Sequence, residues 1–274
     1  MKIPKLTAFI VAAACMGCFA GCEKKDDTSA SDTKSSSSAG ADNVTATAPV
    51  IGGAELSADN YDSDAYLEKI KENVEKCESA DKPAEIGTFG DIIEPEEGSE
   101  EAELGSYRIS DRGTKLYFEE SEYPKELILT LDKYFSAYPA ADYTTYTSCV
   151  FPSYIDEMEK FLEKEYEYDL RTSFAQQCSK LADQMCGDYK VTRIKIEPAE
   201  EYEEDGKNNI EYYLSTLDET FGDGYGDSVK ADSDDIINAS FYVMGEDAYG
   251  NEIMLVSGYE IFFAVKDGHY YTFG

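Results

Sequence analysis

Tryptophan is absent from the 274 residues, and histidine occurs once, as His269. A single imidazole excludes His-rich metal sites and paired-histidine chemistry. Basic residues are scarce: 24 Lys and Arg stand against 57 Asp and Glu, a formal net charge of −33. A chain of that sign is repelled by nucleic acid and by anionic lipid, which excludes both as direct binding surfaces. It stays soluble and suits surroundings rich in divalent cations. No apolar run reaches the roughly 20 residues that a membrane helix needs. Gly-x-Ser-x-Gly, His-Glu-x-x-His and phosphate-loop patterns are all missing, so no motif identifies a reaction. There is no internal repeat.

What is present begins at the N-terminus. Lys2 and Lys5 form a basic start, Leu6 to Ala14 is apolar, and Phe19-Ala20-Gly21-Cys22 closes the segment. Small residues before a cysteine fit a signal-peptidase pocket. The tetrad looks like a lipobox, so the expectation is cleavage before Cys22 and a diacylglyceryl group on its sulfur. Leu6 to Gly21 is too short to span a bilayer as an uncleaved helix. Residues 1–21 are then the signal peptide. Residues 22–49, dominated by Ser, Thr, Ala, Asp and Gly, read as a disordered tether with too little apolar surface to offset chain entropy. Its mean reach is roughly 30 Å. The expected location is the extracytoplasmic face of the cell membrane, held by lipid on Cys22.

Cys77, Cys149, Cys178 and Cys186 remain after the lipid-bearing cysteine. Cys178 and Cys186 lie about 12 Å apart along one expected helix. A disulfide needs Cα atoms within about 7 Å. That pairing fails, two full pairings remain, and buried free thiols stand as the alternative.

The periodicity predicts a helix over 62–77, with Tyr66, Ile70, Val74 and Cys77 on one stripe. Short β pieces follow at 85–93, 104–110 and 114–119, the last two joined by a turn at Asp111-Arg112-Gly113. The Glu-rich 94–103 reads as a solvated loop. A stronger helix opens at Pro124, carries Leu127, Leu131, Tyr134, Phe135 and Tyr138, and stops at Pro139. A short helical piece spans 141–149. Ser153 and Asp169 are expected to cap two further helices, the second stopped by Gly187. Then come a strand at 190–197 with Thr192, Ile194 and Ile196 on one face, and a helix at 210–221. Strands at 236–244, 252–266 and 269–273 complete the chain. Gly258 marks a bend or bulge in the longest, and Asp267-Gly268 marks a hairpin turn.

From about Pro124 to Phe273 this order resembles the nuclear transport factor 2-like superfamily, closest to lipoproteins that carry its fold. Leu131-Asp132-Lys133-Tyr134-Phe135-Ser136-Ala137-Tyr138, followed by Ala141-Asp142-Tyr143, is similar to the family's first helix and the start of its second. The C-terminal Gly268-His269-Tyr270-Tyr271 is similar to its closing hairpin, with Tyr270 in place of the usual Trp. The resemblance implies an α+β fold, with helices packed on a curved antiparallel sheet as a cone. The expected domains are residues 50–123, a helix plus short β segments outside the resemblance, and 124–274, the cone domain. In family enzymes the cone holds a carboxylate base and hydrogen-bond donors; many other members bind or assemble without catalysis.

Tyr and Asp are so frequent that no catalytic residue is assigned, and no cofactor is expected. His269 follows a tight turn and reads as an exposed turn residue. Asp223, Asp227, Asp232 and Asp234 are weak candidates for a calcium site. Read as a calcium loop from Asp223, the pattern carries Tyr225, Ser228 and Asp234 where the motif demands a ligand, Gly and Glu. The expected role is that of a membrane-anchored binding or structural module whose small-molecule or protein ligand is unassigned. A cone-pocket enzyme of isomerase or hydratase type is the alternative, and a calcium-binding surface module comes third.

Overall fold

The structure is a computed structural model that describes residues 61–78, 82–201, 203–204 and 206–274. Cys22 and the segments expected to be a signal peptide and a tether lie outside the described residues.

Helix α1 (Ser63–Glu78) starts where the Asp62 carboxylate accepts the Ala65 amide at 3.1 Å. Its stripe buries Ile70 and Val74. Tyr61 and Ser63 hydroxyls both donate to Asp183 at 2.8 Å, and Lys69 pairs with Asp188 at 2.8 Å. These bonds tie α1 to the end of helix α5, defined below. A 3₁₀ turn (Glu100–Glu103) interrupts the Glu-rich loop. Strands β1 (Arg108–Ile109) and β2 (Lys115–Tyr117) form the hairpin expected around Gly113, whose φ of 87° suits glycine.

Helix α2 (Lys125–Ala140) is the centre of the molecule. Leu127, Ile128, Leu129 and Leu131 are all buried, so the helix is apolar around most of its girth and is covered on several sides. Pro139 does not end it. The proline occupies the last turn, and the chain leaves at Ala141 in a left-handed conformation. Helix α3 (Tyr143–Ser148) is capped by Asp142, which accepts the Thr145 amide at 2.9 Å. Helix α4 (Pro152–Tyr166) has Phe151, not Ser153, at its N-cap. Pro152 takes the first helical position, where its missing N–H costs nothing. Helix α5 (Leu170–Met185) is capped by Asp169, as its sequence predicts. Cys186 takes the left-handed exit and Gly187 closes the helix through a bond to the Ala182 carbonyl at 2.9 Å.

Strand β3 (Tyr189–Glu197) follows, then a small ribbon of β4 (Glu203–Glu204) and β5 (Lys207–Asn208). Helices α6 (Asn209–Phe221) and α7 (Tyr225–Asp232) come next, then β6 (Asp235–Asp247), β7 (Glu252–Lys266) and β8 (His269–Thr272). The main sheet runs β1-β2-β3-β6-β7-β8, antiparallel except where β2 lies parallel to β3. The N-terminal hairpin therefore belongs to the same sheet as the C-terminal strands. A bulge between Val191 and Arg193 puts Val191 in the core. Thr192 turns away and donates to Glu252 at 3.1 Å, where strict alternation predicts it inward. Two register shifts near the middle of β7, one at Gly258 with φ 62°, curl the sheet. The result is an α+β fold, a curled antiparallel-rich sheet with helices packed against it.

The free edge of β8 is covered. Thr272 exchanges backbone bonds with the segment between α3 and α4: its amide donates to Cys149 at 2.7 Å, and its carbonyl accepts from Phe151 at 2.8 Å.

Candidate functional site

The interior of the curl is where a cone-type protein would hold a ligand. Here α2, α3 and α5 press aromatic side chains into it. Tyr146 and Phe174 rings are 4.5 Å apart, Tyr138 and Phe174 5.3 Å, and Phe135 meets Phe241 of β6 at 5.3 Å. Such ring pairs add to their burial energy. The Tyr134 and Tyr138 hydroxyls share a buried hydrogen bond of 2.7 Å. Burial pushes the Tyr138 and Tyr189 phenols well above the usual tyrosine range, so both stay protonated. What remains between Tyr134, Phe135, Tyr138, Phe241, Leu181, Val191 and Leu255 is a cavity of about 20 Å³. That is space for about one water. Among the described residues, no Asp or Glu side chain lines it.

Beside β8 lies a second cavity of about 210 Å³, which brings together Lys133, Ser148, Cys149, His269 and Tyr270. His269 is exposed, as expected of a turn residue, and rests edge-on against Tyr271. Burial pushes the Cys149 thiol up, against the opposing pull of Lys133, the Ser148 hydroxyl and Arg112. A thiol held in that state is a poor nucleophile. Cys77, Cys149, Cys178 and Cys186 are all free. The two disulfide pairings left open by spacing are therefore not formed, and the thiol alternative describes the structure.

The four aspartates considered for calcium are strung along α7. Asp223 precedes it, Asp227 lies in its first turn and Asp232 is its last residue. Asp232 pairs with Lys266 at 2.6 Å, and Asp234 accepts the Asp267 amide at 2.8 Å. Among the described residues, no group of three or more His, Cys, Asp or Glu side chains is placed to hold a metal ion.

Asp132 is a feature that the apolar stripe of α2 conceals. It is 0% exposed and meets Arg112 of the β1–β2 turn at 3.3 Å. Arg112 also donates to the Ile86 carbonyl at 3.1 Å. Burial raises the Asp132 carboxyl, and the Thr114 hydroxyl, Arg112 and the Ser110 hydroxyl pull it back. This pair joins α2 to the N-terminal hairpin and lies apart from the residues lining the cone cavity. A charged residue beside a leucine run is the only signal for it in the sequence.

Among the described residues, no helix is long and apolar enough to cross a membrane. No family model, no curated protein and no solved structure matches this chain.

Proposed function

We propose that this chain is a lipoprotein, anchored through Cys22 on the extracytoplasmic face of the membrane. It carries a nuclear transport factor 2-like domain that binds or assembles rather than catalyses. The observation that favours this reading over an isomerase or hydratase is the interior of the curl. A cone enzyme needs space for substrate and an inward carboxylate with a tuned pKa. The interior instead holds closely packed, tilted rings and about 20 Å³, with no acidic side chain among the described residues of its lining. The succession along the sequence of Lys2/Lys5, Leu6–Ala14 and Phe19–Cys22 supports the anchor. The chain is expressed with a clickable palmitate analogue to test it. The wild type is expected to carry the label and Cys22→Ser to lose it. Equal labelling of both sinks the anchor.

A further inference from the structure

We infer that the cavity beside β8 binds a small zwitterion whose ammonium and carboxylate are held apart by a short spacer. The assignment deepens the binding role proposed above and rests on it. The cavity measures about 210 Å³, against about 20 Å³ inside the curl. It lies between one face of α2, the residues that end α3, and strand β8, with Ile86 at one side. Two of these walls are fixed to each other. The Thr272 amide donates to the Cys149 carbonyl at 2.7 Å, and the Thr272 carbonyl accepts from the Phe151 amide at 2.8 Å. Thr130 and Cys149 in the lining are buried. The space is therefore built into the packing of α2 against β8.

Among the described residues the lining holds one lysine and one acid, Lys133 and Glu126. Lys133 is half-buried. Of the described Lys and Arg side chains that are not exposed, it alone has neither a carboxylate nor an aromatic ring beside it. The chain has 57 Asp and Glu, yet leaves this partly desolvated ammonium open. Lys133 and Arg112 both pull on the Cys149 thiol, so the inner wall is electropositive and suits a carboxylate. The hydroxyls nearby are already donating, Thr130 to the Glu126 carbonyl at 2.8 Å and Ser148 to the Thr145 carbonyl at 2.6 Å. Glu126 is exposed at the mouth, seven residues before Lys133 on the same face of α2. Seven residues rise about 10.5 Å, too far for the two to pair with each other. A charge-assisted contact of about 2.8 Å at each end leaves about 5 Å between the charges of the ligand. Burial, then Glu126 and Asp235, push the Tyr270 phenol up, so it stays a hydroxyl able to donate. Ile86 adds apolar surface for a methylene spacer. A chain of net charge −33 repels a free anion, whereas a zwitterion escapes that repulsion.

Calorimetric titration of the full chain, purified in detergent, with 4-aminobutanoate tests this. A single saturable site is expected. Butanoate and butylamine, which carry one charge each, and glycine, whose charges are too close, should each bind about tenfold more weakly or worse. Lys133→Gln should weaken 4-aminobutanoate about tenfold or more, and Glu126→Gln about three- to tenfold. Lys164→Gln, on α4 and outside the cavity, should leave it unchanged. A dipeptide has a similar charge spacing, so diglycine is run in parallel; the tighter of the two tells a peptide source from a free amino acid. Heat that never saturates, unaltered binding by Lys133→Gln, or butanoate binding as tightly as 4-aminobutanoate overturns the assignment. The comparison of ligands on the unmodified chain holds even where a variant fails to fold. Failure here with Cys22 still labelled removes the ligand and leaves the anchored module; loss of the label with 4-aminobutanoate binding intact does the reverse.

Discussion

At the scale of single residues, the pair Arg112–Asp132 is the most exacting contact. A fully buried carboxylate is tolerable only with its partner, and removing one partner of such a pair typically costs about 3–5 kcal/mol. Arg112→Ala is therefore expected to lower stability by about that amount at pH 7, read as a shift in urea midpoint. The pH dependence has a definite sign. The Asp132 carboxyl is raised above its ordinary value in the folded state, so the native chain holds the proton more tightly than the unfolded one. Stability from this group is full below the unfolded value and is lost as pH rises through the folded one. Without Arg112 the folded value rises further. The deficit of the variant should then shrink as pH falls towards the carboxylate range. A deficit that stays constant from pH 7 down through the ordinary carboxylate range near pH 4 excludes this account. Residue-level legibility was uneven. Asp169 announced itself as a cap because its side chain needs only its own local backbone. Asp132 did not, since its partner is 20 positions away across a turn.

At the scale of elements, the helix and strand periods placed α1, α2, α5 and the β6–β7–β8 meander close to their observed bounds. What local pattern could not supply was pairing. The parallel β2–β3 contact and the bulge that exchanges Thr192 for Val191 are set by the surface that β3 must pack on. The candidate site was least legible of all. The rings that fill the curl come from segments far apart in the chain, such as Phe135 and Phe241, so no local pattern shows the interior closed. The meander offers a direct test of the core. Phe263 of β7 is fully buried and pairs across to Ile237 and Thr272. Phe263→Ala should cost about 3–5 kcal/mol, a large part of a net stability of about 5–15 kcal/mol. Asp223→Asn, at the exposed start of α7, should change thermal unfolding little without calcium. Equal melting of the two variants would place Phe263 outside the core.

At the scale of the whole molecule, charge dominates. A net charge of −33 works against compaction through self-repulsion. Raising ionic strength from 0.01 to 0.15 M shortens the screening length from about 30 Å to about 8 Å. The melting temperature is expected to rise over that interval. A falling melting temperature would show that the surface ion pairs outweigh the repulsion.

The covered edge of β8 has a consequence in time. Thr272 is held by Cys149, 123 residues earlier in the chain, and β2 reaches β3 across a shorter detour, Lys115 pairing with Arg193. Contacts that distant are closed late and slowly, because the loop entropy must be met before the contact rewards it. During that interval the edge of β8 stands bare to any neighbour. The same repulsion that taxes the finished fold then keeps unfinished copies apart, so the acidity of this chain acts as its protection while the sheet is still open.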